Sequence, residues 1–138
     1  MFHWIRLRAF VYATEEREKV LEAMRNIMDG ELKTRHAEGA YGDPIEIIEM
    51  SGKRDRDARG IISTMNESDR KSLFDTLDER TDDDSIFHFR LDRQEAYLGK
   101  LRLASGGDVI GVELKLQSYP ASREKAIESM KEFLEALL

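Results

Sequence analysis

Strict two-residue alternation from Phe2 to Tyr12 most limits what this chain can become. His3, Ile5, Leu7, Ala9 and Val11 fall on one side. Phe2, Trp4, Arg6, Arg8, Phe10 and Tyr12 fall on the other. Successive side chains of a strand point to opposite faces, so this run specifies a strand with one aliphatic face and one aromatic, cationic face. The aliphatic face needs a cover of helices. The other is left for solvent or a partner.

The rest of the chain supplies that cover. Thr14 reads as a helix N-cap, with Glu15 and Glu16 suited to the positive helix start and Val20, Met24, Ile27 and Met28 at helical spacing. Asp29-Gly30 ends that helix. Leu32 to Glu38 and Ile45 to Met50 read as strands around the turn Gly39-Ala40-Tyr41-Gly42-Asp43-Pro44. Ala58, Ile61, Ile62 and Met65 predict a helix, and a further one starts near Asn66 or Ser68 and carries Leu73, Phe74 and Leu77. Ile86 to Leu91 reads as a strand, and Arg93 to Leu98 as a short helix closed by Gly99. Leu101 to Ala104 and Val109 to Gln117 read as a hairpin around Ser105-Gly106-Gly107-Asp108. Ser122 caps a last helix with an apolar stripe from Ala126 to Leu137. The expected fold is a single α+β domain over residues 1–138, with a mixed, mostly antiparallel sheet and helices on one face.

With 138 residues, 41% hydrophobic and 36% charged, the chain suits one globular domain rich in ion pairs. It has no cysteine, which rules out disulfides and thiolate zinc sites. A net charge of −6 argues against a surface coated in basic charge, yet it permits a local basic face, because distant charges are screened beyond about 8 Å. The N-terminal residues lack a signal-peptide pattern, and no apolar run approaches the ~20 residues that span a bilayer. The reading is a cytoplasmic protein without a membrane partner.

Catalytic and metal patterns fail in turn. His3, His36 and His88 lack metal-ligand spacing. Gly52-Lys53 is followed by Arg54, and position 47 is Ile, so the P-loop fails. Ser63 lies in no nucleophile elbow. Asp82-Asp83-Asp84 lacks the EF-hand spacing and reads as a solvated turn. No catalytic set, metal or cofactor is expected.

The chemistry-bearing groups are cations. Guanidinium forks bind phosphate and aromatic faces stack bases, so Arg6 and Arg8 among Trp4, Phe10 and Tyr12 suit looped RNA. The same pattern arises when the aromatics pack under helices and the arginines pair with acids on a neighbouring strand; both readings stay open. Lys53-Arg54-Asp55-Arg56-Asp57-Ala58-Arg59 is a second basic stretch, in which Asp55 and Arg59 form an i, i+4 pair. It reads as phosphate contacts or as a solvated helix start. Arg90, Arg93, Lys100 and Arg102 extend the set.

Three segments carry a family resemblance. Phe10-Val11-Tyr12-Ala13-Thr14-Glu15-Glu16-Arg17-Glu18-Lys19-Val20 resembles the opening motif of an archaeal family described as RNA-binding or exosome-subunit-like. Arg35-His36-Ala37-Glu38-Gly39-Ala40-Tyr41-Gly42-Asp43-Pro44-Ile45 is similar to its His-x-x-Gly-x-Tyr-Gly-Asn-Pro-Ile segment. Arg90-Leu91-Asp92-Arg93-Gln94-Glu95-Ala96-Tyr97-Leu98-Gly99 resembles its Arg-Leu-Asp-Lys-Gln-x-Ala-Tyr-x-Gly segment. Three positions depart from the pattern: Tyr12 stands for His, Asp43 for Asn, and Arg93 for Lys. The resemblance implies a fold similar to the ribosomal protein that binds 5S ribosomal RNA. It also implies an RNA partner, exosome or ribosomal components as associates, and a homodimer.

The expected function is therefore non-catalytic binding of structured or looped RNA. Its expected contacts are Arg6, Arg8, His36, Tyr41, Arg54, Arg56, Arg59, Arg90, Arg93 and Lys100, with Gly39, Gly42 and Pro44 shaping the loop. The competing expectation is a protein-interaction or dimerisation subunit of an RNA-processing complex that does not touch RNA.

Overall fold

The computed structural model describes residues 1–138. The elements run β1 (Phe2–Tyr12), α1 (Arg17–Ile27), β2 (Glu31–Glu38), β3 (Pro44–Gly52), α2 (Asp55–Thr64), α3 (Glu67–Asp75), α4 (Leu77–Arg80), β4 (Ile86–Asp92), α5 (Arg93–Tyr97), β5 (Val109–Leu116) and α6 (Arg123–Leu137). The strands form a five-stranded sheet in the order β2-β3-β1-β5-β4. The fold is α+β as expected, and every strand pairing is antiparallel. No helix is long and apolar enough to cross a membrane.

Strand β1 is central because both its edges are paired, to β3 and to β5. Its register sets Leu7 opposite Met50 and Val112, and Ala9 opposite Ile48. Those side chains join Phe87, Phe89 and Leu91 of β4 in a cluster of 31 buried residues. Helices α1 and α2 lie on β1, α4 and α5 on β4, and α6 on β5. Burying each large aliphatic or aromatic side chain stabilises the fold by roughly 1.5–3 kcal/mol, so this cluster is the main source of stability.

Four local readings are corrected. The register of β1 against β5 shifts between Phe2 and Trp4, which places Phe2 with the core and leaves His3 exposed. Phe2 then packs edge-on to Phe133 of α6, with ring centroids 5.9 Å apart. The first helix starts at Arg17 behind Glu16 rather than behind Thr14. Glu15 is instead drawn into a turn, accepting a hydrogen bond from the Tyr12 N–H at 3.0 Å. The helix expected to run through Leu77 breaks at Thr76, whose hydroxyl donates to the Ser72 carbonyl at 2.7 Å, and α4 follows as a separate short turn.

The fourth correction concerns the expected hairpin of Leu101–Ala104 with Val109–Gln117. Both edges of β5 are already taken, by β1 and β4. Residues 101–104 run instead along the outer edge of β4, where the Asp92 N–H donates to the Arg102 carbonyl at 2.8 Å and the Ala104 N–H to the Arg90 carbonyl at 2.9 Å. Two sequence signals hold, Asn66 and Ser122 capping α3 and α6 through their side chains; Asp92 caps α5 in the same way, without having been singled out in the sequence.

One ion pair ties three layers. The Asp55 carboxylate, at the start of α2, accepts from the Phe2 N–H at 2.7 Å and pairs with Arg59. The Arg59 guanidinium lies 5.2 Å from the Phe133 ring centre. Burial alone would raise the Asp55 carboxyl, but the Phe2 N–H and Arg59 outweigh it and hold the group below its ordinary value. A depressed carboxyl contributes stability above its unfolded pKa, and that contribution disappears as pH falls through the folded value. Asp55→Asn should therefore cost about 1 kcal/mol at pH 7, a modest figure because the pair is partly exposed. Urea midpoints of the two proteins should converge as the pH falls below ~4, the ordinary carboxylate range.

Candidate nucleic-acid interface

The outer sheet face carries no helix. By register, it presents Lys33, Arg35 and Ala37 of β2, Ile45, Ile47 and Glu49 of β3, and Arg6, Arg8, Phe10 and Tyr12 of β1. Lys115, Glu113 and Gly111 of β5 and His88, Arg90 and Asp92 of β4 complete it. Lys33, Arg35, Arg6, Arg8, Lys115 and Arg90 thus face Glu31, Glu49, Glu113 and Asp92. Asp92 is occupied as the α5 cap, accepting from the Glu95 N–H at 2.9 Å. The face has a cationic surplus, although the chain as a whole carries −6.

The pairing pattern determines where that surplus is available. Arg6 grips Glu113 with both fork nitrogens, at 3.1 Å each, and stacks 5.1 Å from the Trp4 ring centre. The Glu113 hydrogen bonds raise the Arg6 guanidinium above its ordinary value. Glu49 is shared: Arg8 lies 3.1 Å from it and Arg35 3.3 Å. One carboxylate cannot neutralise two guanidiniums, so positive charge is left over between β2 and β1. Arg90 has no carboxylate partner, and Gly111 separates it from Arg8 in the same cross-strand row. Beside Gly111 opens a cleft of about 630 Å³, bordered by Arg8, Arg80 and Arg90 and also by the carboxylates Glu79, Asp82 and Glu113.

Beside this charge lies an apolar strip. Phe10 pairs across to Ile47 and Tyr12 to Ile45. Phe10 is 42% exposed and Tyr12 48%, high values for aromatics on a sheet surface. Aromatic planes next to guanidiniums suit bases that stack while phosphates bind.

The expected contact residues do not form one continuous strip. Arg6, Arg8 and Arg90 share the open face. Arg56 and Arg59 belong to α2, in the helical layer behind the sheet, and Arg54 is its N-cap residue. There Arg54 lies 3.7 Å from Asp57, Arg59 pairs with Asp55, and Arg56 borders a cleft beside Gly99. Lys100 follows α5 on that same side. His36 alternates with Arg35 and so points to the other side of β2. Tyr41 is 93% exposed at the tip of the β2–β3 loop. The loop is closed by the Gly39 N–H donating to the Asp43 carbonyl at 2.7 Å, with Gly42 at φ 79°. That φ favours glycine. Pro44 opens β3 opposite Glu38.

Arg93 takes a different place. Its side chain is buried, pairing with Glu15, with Asp108 at 3.1 Å, and with the Phe10 carbonyl at 3.1 Å. It joins the end of β1 to α5 and to the start of β5, with no free fork for a phosphate. Sequence reasoning missed Lys33, Arg35, Lys115 and Arg80. The first two were readable from the alternation of β2. Arg80 was not, since nothing in its acidic surroundings marks α4.

The model of a family described as RNA binding matches residues 4–116, which contain almost all of the sheet and omit α6. RNA-binding protein PAB1135 of Pyrococcus abyssi is 34% identical over 144 residues, covering 96% of this chain and 94% of the relative. Protein AF2318 from Archaeoglobus fulgidus superposes with a TM-score of 0.84 at 36% identity, over 96% of this chain and 99% of that one. A DUF54 protein from Methanothermobacter thermautotrophicus gives 0.80 at 34% identity, over 97% and 98%.

The Arg93 junction is tested by stability. Arg93→Ala strands two carboxylates and a carbonyl and should cost roughly 2–4 kcal/mol in urea unfolding. Arg93→Lys should recover little of it, because an ammonium lacks the fork.

Proposed function

We propose that this chain, which belongs to the family described as RNA binding, holds RNA on the open face of its sheet. Looped or single-stranded bases stack on Phe10 and Tyr12. Phosphates lie along Arg8, Arg35, Lys33 and Arg90. One observation carries the reading: Arg8 and Arg35 share the single carboxylate Glu49 beside two exposed aromatics, within a chain of net charge −6. Arg6 acts differently in this reading. It is forked onto Glu113 and orients the face rather than gripping phosphate. The protein acts by binding, without catalysis. The carboxylates best placed for chemistry are occupied, Asp82 by the Ile86 N–H and His88 and Asp55 by Phe2 and Arg59.

A second reading has its own support. All eight residues of β2 are exposed, and its outer edge pairs with no strand of the chain. Such an edge accepts another strand, from a second copy or a partner protein. The forked pairing of Arg6 with Glu113 favours this reading over direct RNA contact at Arg6. Association with an exosome or ribosomal assembly, which the resemblance implies, would use the same edge.

Fluorescence anisotropy with a labelled hairpin-loop RNA separates the two. Phe10→Ala with Tyr12→Ala should weaken binding by at least about 30-fold, at roughly 1–3 kcal/mol for each of two stacked bases, and leave the salt slope unchanged. Lys33→Ala with Arg35→Ala should lower the log–log salt slope by roughly 0.7 for each phosphate released. Unchanged affinity in both, together with concentration-dependent dimerisation in sedimentation, would replace the RNA face with the β2 edge.

A further inference from the structure

A second concavity opens at the outer edge of β4, with a volume of about 330 Å³. Arg80 and Arg90 form one side, and the loop Ser105-Gly106-Gly107 forms the other. No carboxylate lines it. This is unusual in a chain with 28 acidic residues against 22 Lys and Arg.

Both guanidiniums have free donors. Arg80 is steadied by its Nε, which donates to the Thr76 hydroxyl at 2.7 Å, and its two terminal nitrogens have no partner in the protein. Arg90 lies in β4, and neither a carboxylate nor a hydrogen bond holds its side chain. Opposite them, the N–H groups of Ser105, Gly106, Gly107 and Asp108 meet no acceptor in the protein. Gly106 and Gly107 have φ of 150° and 77°, which favours glycine. The loop's ends are fixed. The Leu103 N–H donates to Asp69 at 3.0 Å, the Ala104 N–H to the Arg90 carbonyl at 2.9 Å, and the Arg93 N–H to the Asp108 carbonyl at 3.1 Å.

We infer that this pocket binds a phosphate group, held between the Arg80 and Arg90 forks and the backbone amides of the glycine loop. A tetrahedral oxyanion accepts hydrogen bonds from several directions at once, and the pocket supplies donors from two opposed walls. Arg90 also borders the cleft on the open sheet face. The phosphate is therefore that of an RNA strand leaving the face, a step that rests on the RNA reading above. A free nucleotide or inorganic phosphate offers the same chemistry.

Two-dimensional amide NMR with the full chain tests this. Inorganic phosphate, compared with chloride at equal ionic strength, should shift the Gly106 and Gly107 amides. RNA carrying a 5′-phosphate should shift the same amides, and Arg80→Ala should abolish both responses. Arg90→Gln, at an exposed position, is the second variant should Arg80→Ala fold poorly, and it should weaken RNA affinity about 3- to 10-fold. Shifts with inorganic phosphate but none with RNA would overturn the RNA source and leave a free-anion site. No shift with either, while RNA still binds and responds to Phe10→Ala, would overturn the pocket and leave the sheet-face reading intact. If the shifts occur with both ligands and persist in both arginine variants, the guanidiniums are not the binding groups and the inference fails.

Discussion

The alternation of β1 is the constraint on which the other features depend. Its two edges are hydrogen-bonded to β3 and β5, so neither face can rotate relative to its neighbours. A slip of one residue would exchange Ile5, Leu7 and Ala9 for Arg6, Arg8 and Phe10 beneath the helices. Burying those charges without partners costs several kcal/mol each, which makes the register effectively unique. The cationic, aromatic outer face is thus a direct result of how the inner face packs.

Periodicity made most of the architecture legible. The two-residue repeat marks β1, β4 and β5, and the helical repeat marks α1, α2 and α6, because burial on one side forces a repeat in the residues. Elements that bury nothing, or whose partners are distant, were harder. Residues 101–104 carry the same local signal as a hairpin strand, but β5 has no free edge for them. Phe2 changes face through a register shift that no local pattern announces. The site was half legible. Alternation identifies which residues share a face, so Arg8, Phe10 and Tyr12 could be grouped. It does not identify pairing partners, so it leaves the pairing of Arg6 open and gives no sign that Arg93 is held: Glu113 lies 107 residues from Arg6, and Glu15 lies 78 from Arg93.

The distribution of carboxylates determines which cations remain available. Glu113 occupies Arg6, Glu15 and Asp108 occupy Arg93, and Asp55 occupies Arg59. These three pairings orient β1, the α5 junction and the α2 start. Glu49 divided between two arginines, together with the acid-free pocket of Arg80 and Arg90, leaves charge where the sheet is bare. Counting basic residues along the chain cannot reveal this division, because it depends on which acids fold back onto which bases.

The β2 strand has a mechanical consequence. It pairs with β3 along its whole length yet contributes no residue to the buried cluster. Its attachment rests on one ladder of backbone hydrogen bonds and the exposed Arg35–Glu49 pair, without a buried hydrophobic anchor. Detaching it therefore requires far less free energy than unfolding the molecule. Its amides should exchange with solvent through this local opening while those of β1 and β5 stay protected. The outermost strand is in effect a hinged flap on an otherwise rigid plate.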